Sequence, residues 1–145
     1  EVHKGIEFTV SGKVTNRLTL VGGLTLMDCE ITNNKSTPAL VGKRPQNVAN
    51  QMIKLYAEYD LPSVPGMTLI GGVYYTGSFY ADAMNTDKIP GVVIGDLGVR
   101  YQTTIQGTPI IYRLNVTNVT NKHYWLNSMY VGAPRRVTLS MEMKL

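Results

Sequence analysis

Apolar and polar residues alternate with a period of two over most of the chain. The alternation forms seven runs, at 5–14, 18–26, 51–59, 67–80, 96–106, 110–119 and 136–145. In the last run, for example, Val137 and Leu139 alternate with Thr138 and Ser140. Because successive side chains of a β-strand point to opposite faces, each run predicts a strand with one apolar and one polar face.

The runs are long, and the connections between them alternate in length. An ordinary strand has about 5–6 residues, whereas a tilted strand that crosses a bilayer needs roughly 9–11. Short connections at 15–17, 60–66 and 106–109 alternate with long ones at 31–50, 81–95 and 120–135. Outer-membrane barrels alternate tight turns with extended outer loops in this way. The sequence therefore predicts an all-β fold, an antiparallel meander of about seven long strands from a transmembrane β-barrel.

The short connections contain residues suited to tight turns. Asn16 is expected to adopt the left-handed conformation that a tight hairpin needs. Pro62 and Pro65 cannot join a sheet ladder, and Gly107 with Pro109 predicts a similar break.

The composition argues against a nucleic-acid-binding surface and against a membrane-spanning helix. Charged residues make up only 17% of the chain, and its formal net charge of +4 is scattered, with two adjacent basic pairs, Lys43-Arg44 and Arg135-Arg136. A nucleic-acid surface needs a denser basic patch, so no nucleic-acid partner is expected. The single cysteine, Cys29, is interpreted as a small apolar residue. No apolar run reaches the roughly 20 residues of a membrane helix, and the chain opens without a leader, as an excised piece of a longer chain would.

The sequence shows no arrangement of residues typical of an enzyme. His3 and His123 lack neighbouring ligands at metal spacing. Asp28 and Glu30 share a strand face, but paired carboxylates for acid–base catalysis are not otherwise apparent. We therefore expect no catalytic site, no resident cofactor and no metal centre.

The C-terminal third carries a family resemblance. The segment 113–125, RLNVTNVTNKHYW, and the segment 132–140, GAPRRVTLS, resemble the end of the TonB-dependent ferric siderophore receptors, and 64–75 resembles an inner strand pair of the same family. The motif positions are Arg113, Asn115, Asn118, Lys122, Tyr124, Trp125, Gly132, Ala133, Pro134 and Arg135. One departure is the terminus Met143-Lys144-Leu145, where the family usually ends in an aromatic residue.

The resemblance implies that residues 1–145 are the C-terminal part of a 22-stranded barrel, without its plug domain and earlier strands. An intact member lies in the outer membrane of a Gram-negative bacterium and contacts its lipid. It binds a ferric siderophore and is driven by the TonB complex through an N-terminal segment. The GAPR ending favours siderophores over haem or cobalamin. The loop segments 32–50 and 82–94 are the candidates for ligand contact.

Two sets of side chains have expected positions in such a barrel. An aromatic belt at the outer membrane interface is predicted for Tyr74, Tyr75, Phe79, Tyr80, Tyr124 and Trp125, since Tyr and Trp favour that depth. Arg100 and Arg113 are predicted to face the lumen, where they would assist an anionic chelate, pair with the plug, or more simply be solvated.

Other classes of protein remain open. A soluble all-β binding domain of sandwich type would pack its apolar faces against each other. A passive porin or an autotransporter barrel would share the strand pattern but not the GAPR ending. A seven-stranded piece cannot close a 22-stranded barrel, so in isolation we expect it to aggregate, to dimerise edge to edge or to curl into a non-native arrangement.

Overall fold

The computed structural model describes residues 1–143, which form one seven-stranded antiparallel sheet and a small two-stranded ribbon. The strands are β1 (Val2–Lys13), β2 (Leu18–Glu30), β3 (Gln51–Asp60), β4 (Met67–Thr76), β5 (Phe79–Tyr80), β6 (Lys88–Ile89), β7 (Val92–Ile105), β8 (Thr108–Thr117) and β9 (Arg136–Met143), and a 3₁₀ helix covers Pro38–Leu40. The sheet order is β1-β2-β3-β4-β7-β8-β9, and β5 pairs with β6. The predicted meander is therefore confirmed, and β1 and β9 are its edges. The end of the predicted run 136–145 lies outside the described residues.

The register of the strands keeps most apolar side chains on one face, and the polar face carries a minority that includes Val21, Met52 and Ile70. Leu24 of β2 stands between Phe8 of β1 and Ile53 of β3, and Leu114 of β8 lies opposite Leu139 of β9. These side chains are not in a core, since Phe8 is 60% exposed and Leu139 is 75% exposed. Within residues 1–143 no second layer covers this face, so the structure does not have the packed faces of a soluble sandwich.

The short turns are built differently from one another. Gln106 and Gly107 both have positive φ, 51° and 81°, which is the signature of a two-residue type I′ hairpin turn. Asn16 is not among the left-handed residues of the described chain, so the prediction for it was wrong. The hydroxyl of Thr15 holds that turn instead, because it accepts hydrogen bonds from the backbone N–H groups of Arg17 at 3.2 Å and Leu18 at 3.0 Å.

Several predicted strand boundaries were also wrong. The run 67–80 ends as a strand at Thr76, whose last cross-strand partner is Val92, so β7 begins four residues before the predicted start at Asp96. The chain leaves the sheet at Gly77, a buried residue that packs closely against Gln51. β8 ends at Thr117, since Asn118 adopts a left-handed conformation with φ of 50°.

Within residues 1–143, no helix is long and apolar enough to cross a membrane. In the same part of the chain, no group of three or more His, Cys, Asp or Glu residues comes together as a metal site. Cys29 is 1% exposed, in agreement with its interpretation as a small apolar residue.

Candidate functional site

The polar face of the sheet carries two ion pairs. Arg100 and Arg113 lie on this face directly opposite each other in the β7–β8 register. Arg100 donates to Glu58 at 2.9 Å, and Arg113 donates to Glu142 at 2.9 Å. The hydroxyl of Tyr56 also donates to Glu58, at 2.7 Å. Both arginines lie on the polar face, and each is compensated by its own carboxylate. Their predicted position in a barrel lumen stays a prediction.

The polar face also has a recess near Gly23. Around Gly23 the space is open, since a Cβ at that position would meet no atom within 4 Å. Lys54, Tyr56 and Tyr74 border this recess, which has a volume of about 570 Å³. The ring of Tyr74 lies over Gly72 of its own strand, at a distance that leaves no room for a Cβ. A side chain at position 72 would therefore displace the hydroxyl end of the Tyr74 ring.

Three long loops lie together at one end of the sheet, and the short turns lie at the other. We call them loop A (31–50), loop B (77–91, which contains β5 and β6) and loop C (118–135). This arrangement confirms the predicted alternation of short and long connections.

Loops A and B are joined by reciprocal hydrogen bonds. The backbone N–H of Arg44 donates to the side-chain oxygen of Asn85 at 2.8 Å, and the amide of Asn85 donates back to the carbonyl of Arg44 at 2.9 Å. Asn85 is left-handed, with φ of 59°. Below this pair, Phe79, Ala49 and Ile89 form a buried apolar cluster. The two loops therefore share a small core of their own.

Loops A and C are joined through Asn47. The backbone N–H of Ser128 donates to the side-chain oxygen of Asn47 at 2.8 Å, while the Asn47 amide donates to the Ser128 hydroxyl at 3.1 Å. The side chain of Gln46 donates to the same hydroxyl at 3.2 Å and also to the carbonyl of Ala81 in loop B. The three loops consequently form one connected surface.

Asn118 anchors the base of loop C. Its side chain is 3% exposed and bridges the two ends of the loop, since its amide donates to the carbonyls of Lys122 at 2.9 Å and Ala133 at 3.0 Å. Its side-chain oxygen accepts from the Lys122 N–H at 2.8 Å. The backbone N–H of Asn118 donates to the carboxylate of Asp96 on β7 at 2.8 Å. A left-handed conformation at this residue is tolerated because asparagine accepts it at low cost.

Further contacts within loop C join its first half to its second half. The backbone N–H of Gly132 donates to the carbonyl of Tyr124 at 2.8 Å, and Trp125 forms an isolated antiparallel bridge with Val131. The Arg135 N–H donates to the side-chain oxygen of Asn121 at 3.0 Å. The two resembling segments thus meet in space and hold one loop in shape.

Comparison with known proteins identifies the family. A family model described as a TonB dependent receptor-like β-barrel matches residues 1–121. This chain belongs to the TonB-dependent receptor β-barrel family.

Its relatives are transport receptors. The ferrichrome receptor of Yersinia enterocolitica is 35% identical over 97% of this chain, and the ferrioxamine B receptor of Salmonella typhimurium is 29% identical over 95%. The ferric preacinetobactin receptor of Acinetobacter baumannii superimposes with a TM-score of 0.89 at 35% identity, over 96% of this chain. The chain spans about a fifth of the length of these three relatives, at 19%, 20% and 21% respectively.

The positions of the aromatic residues in this TonB-dependent receptor segment correct the predicted belt. Tyr75 lies on the apolar face between Ile53 and Val93. Tyr74 points to the opposite, polar face, because neighbouring strand residues alternate. Phe79 is 4% exposed within the core of loops A and B, so it cannot face lipid.

Two further tyrosines of the predicted belt, Tyr80 and Tyr124, contact residues of the loops. Tyr80 lies beneath the guanidinium of Arg44, 5.6 Å from its ring centre. Tyr124 packs on Gly132 and borders, with Tyr74 and Arg136, a recess of about 320 Å³ under loop C. Trp125 is 50% exposed, and its place in a belt stays a prediction.

Asp82 stabilises loop B of the receptor segment. Its carboxylate accepts hydrogen bonds from the backbone N–H groups of Asp87 at 2.7 Å and Thr86 at 2.9 Å. These bonds, with Asp87 as the largest cause, lower the pKa of Asp82 below its usual range. Because the folded-state pKa is depressed, this stabilisation is present above the ordinary pKa of aspartate and is lost as pH falls through the lowered value.

The Gly132→Ala substitution is expected to disrupt loop C. A Cβ at this position would overlap ring atoms of Tyr124, so the ring must move. Overpacking of this kind costs about 1–3 kcal/mol. The measurement is the rate at which a protease cuts loop C in the full-length receptor. Gly23→Ala is the matched control, and equal effects of the two substitutions would contradict the assigned packing.

Proposed function

We propose that this chain forms part of the wall and three outer loops of an outer-membrane receptor that takes up a ferric siderophore, driven by the TonB complex. The observation that carries the proposal is the separation of a predominantly apolar face from a predominantly polar face across seven long strands. The apolar face would contact lipid, and the polar face with its ion pairs would line the lumen of a 22-stranded barrel. The names of the relatives, which include receptors for ferrichrome and ferrioxamine B, support the ligand class.

The parts of the function are divided between this chain and the rest of the receptor. Coupling to TonB and gating by a plug belong, on this proposal, to segments outside these 145 residues. Loops A and B supply the candidate ligand surface, in line with the predicted segments 32–50 and 82–94, except that residues from Val92 onward belong to β7. We propose no enzymatic activity, no resident cofactor and no metal centre for the chain; iron enters as part of the transported ligand.

The test is uptake of radioactive iron by cells that produce the full-length receptor and lack their own siderophore receptors. Several ferric chelates would be supplied, each to cells with and without a functional TonB complex. The proposal predicts uptake of at least one chelate, and predicts that it stops without TonB. Uptake that continues without TonB would indicate a passive porin, and no uptake of any chelate would refute the assignment.

A further inference from the structure

The net positive charge of the chain resides in its outer loops. Loops A, B and C contain six basic residues and two acidic ones, a formal charge of +4, which equals the formal net charge of the whole chain. The remaining residues contain eight of each sign. Loops A and C contain no acidic residue at all. The basic residues of the loops are Lys35, Lys43, Arg44, Lys88, Lys122 and Arg135.

The basic residues of the loops lack the carboxylate partners that the polar face provides. Within residues 1–143, no Lys or Arg of loops A, B and C lies within 4.0 Å of a carboxylate oxygen, whereas Arg100 and Arg113 are each paired. Asp82, the acid nearest in sequence to Tyr80, is turned toward backbone N–H groups of its own loop. The positive charge of the outer surface is therefore uncompensated within the described part of the chain.

Arg44 is the clearest example of a loop residue whose positive charge has no carboxylate partner. Its Nε and Nη2 atoms are buried without a hydrogen-bond partner, and its guanidinium stacks on Tyr80. Two hydrogen bonds between its backbone and the Asn85 side chain hold the Arg44 backbone in place. A buried charge without a counter-charge is costly, and an anion brought near it is correspondingly stabilised.

The connection between the loops makes these charges act together. Loop A and loop C are joined by Asn47 and Ser128, so the two acid-free loops form one surface before any ligand arrives. A surface of one sign raises the local concentration of oppositely charged ligands and increases association rates by roughly 10- to 1,000-fold at low ionic strength. Salt weakens this effect, since the screening length is about 10 Å at 0.1 M.

We propose that this receptor selects ferric chelates that carry a net negative charge, and that the unpaired basic residues of loops A and C attract them. The proposal rests on the proposed function, because it concerns the ligand of that same receptor. Lipid phosphate in the outer leaflet offers the same anionic chemistry. We favour the chelate because hydrogen bonds join loops A, B and C into one preassembled outer surface.

The experiment compares two probes on the purified full-length receptor. One is a ferric tris-catecholate complex, which is anionic, and the other is a neutral ferric tris-hydroxamate complex. Association rates are measured by fluorescence quenching at low and high salt. We expect the anionic complex to associate at least about 10-fold faster at low salt and to lose this advantage at high salt.

Substitutions assign the effect to the loops. The Lys35→Gln/Lys122→Gln double variant removes two exposed charges and leaves the loop contacts intact, and Arg44→Gln removes a half-buried charge. Both are expected to slow the anionic probe several-fold and to leave the neutral probe unchanged. Arg17→Gln, in a short turn at the opposite end of the sheet, removes the same type of charge and should have no effect.

The outcomes separate this proposal from the function on which it rests. Binding of the neutral probe as fast as the anionic one, with no effect of the loop variants, would overturn the charge preference while leaving uptake intact. Loss of co-purified lipid phosphate in the loop variants, without any change in chelate binding, would also overturn it. If neither probe binds and no chelate supports uptake, the proposed function itself fails.

Discussion

The Val10→Arg substitution is expected to reduce sharply the amount of assembled receptor in the outer membrane. Val10 lies on the apolar face of β1, between Phe8 and Gly12, and is 53% exposed in the sheet. If that face contacts hydrocarbon, an arginine near the bilayer midplane costs about 2–4 kcal/mol. The measurement is the fraction of full-length receptor that resists unfolding on an unheated detergent gel, in membranes isolated from producing cells.

The adjacent residue supplies the control. Thr9 lies on the polar face opposite Gly23, where the space is open. Thr9→Arg introduces the same side chain one position away and is expected to leave assembly near the level of the unmodified receptor. Similar losses for both variants would mean that β1 rejects an arginine on either face. The assignment of one face to lipid would then be wrong.

The Asn118→Asp substitution is expected to release loop C from the sheet. Aspartate keeps the size and the tolerance of a left-handed backbone, and it still accepts from the Lys122 N–H. It cannot donate to the carbonyls of Lys122 and Ala133, so two part-buried hydrogen bonds are lost, and a second carboxylate is placed near Asp96. Each lost hydrogen bond of this kind costs about 0.5–1.5 kcal/mol. The expected result is faster proteolysis of loop C and a lower unfolding temperature of the full-length receptor.

Asn121 provides a matched comparison for this variant. It has nearly the same backbone conformation, with φ of 52°, lies in the same loop and uses its side-chain oxygen only to accept from Arg135. Asn121→Asp keeps that interaction and is expected to change neither measurement appreciably. If Asn121→Asp proved as damaging as Asn118→Asp, the anchoring role of Asn118 would not be supported.

The two faces of the sheet were predictable because their signal is local. Alternation along a strand fixes which neighbours share a face, and Val137, Leu139 and Met141 lie together on the apolar face as the pattern indicated. The same rule shows that Tyr74 and Tyr75 cannot both face lipid, so the error at Tyr74 was avoidable from the sequence. For Phe79, the only sequence signal that the strand ends before it was the preceding Gly77-Ser78 pair.

The contacts between distant segments were not predictable from the pattern. Arg100 and Glu58 are 42 residues apart and meet only because the β3–β4–β7 register brings them together. Asn47 and Ser128 belong to different loops, and no local signal marks either one as a partner. The motif residues around Asn118 carried the family resemblance, but their physical role became clear only when the two ends of loop C were seen side by side.

The central claim is that the apolar face of these strands contacts lipid and the polar face does not. The most direct measurement uses two full-length receptors in bilayers, each with Cys29→Ala and one new labelling site, Leu139→Cys or Thr138→Cys, that carries a fluorescent probe. The account predicts that brominated lipids quench the probe at position 139, whereas aqueous iodide quenches the probe at position 138. Quenching by iodide at position 139, with no effect of brominated lipids there, would contradict it.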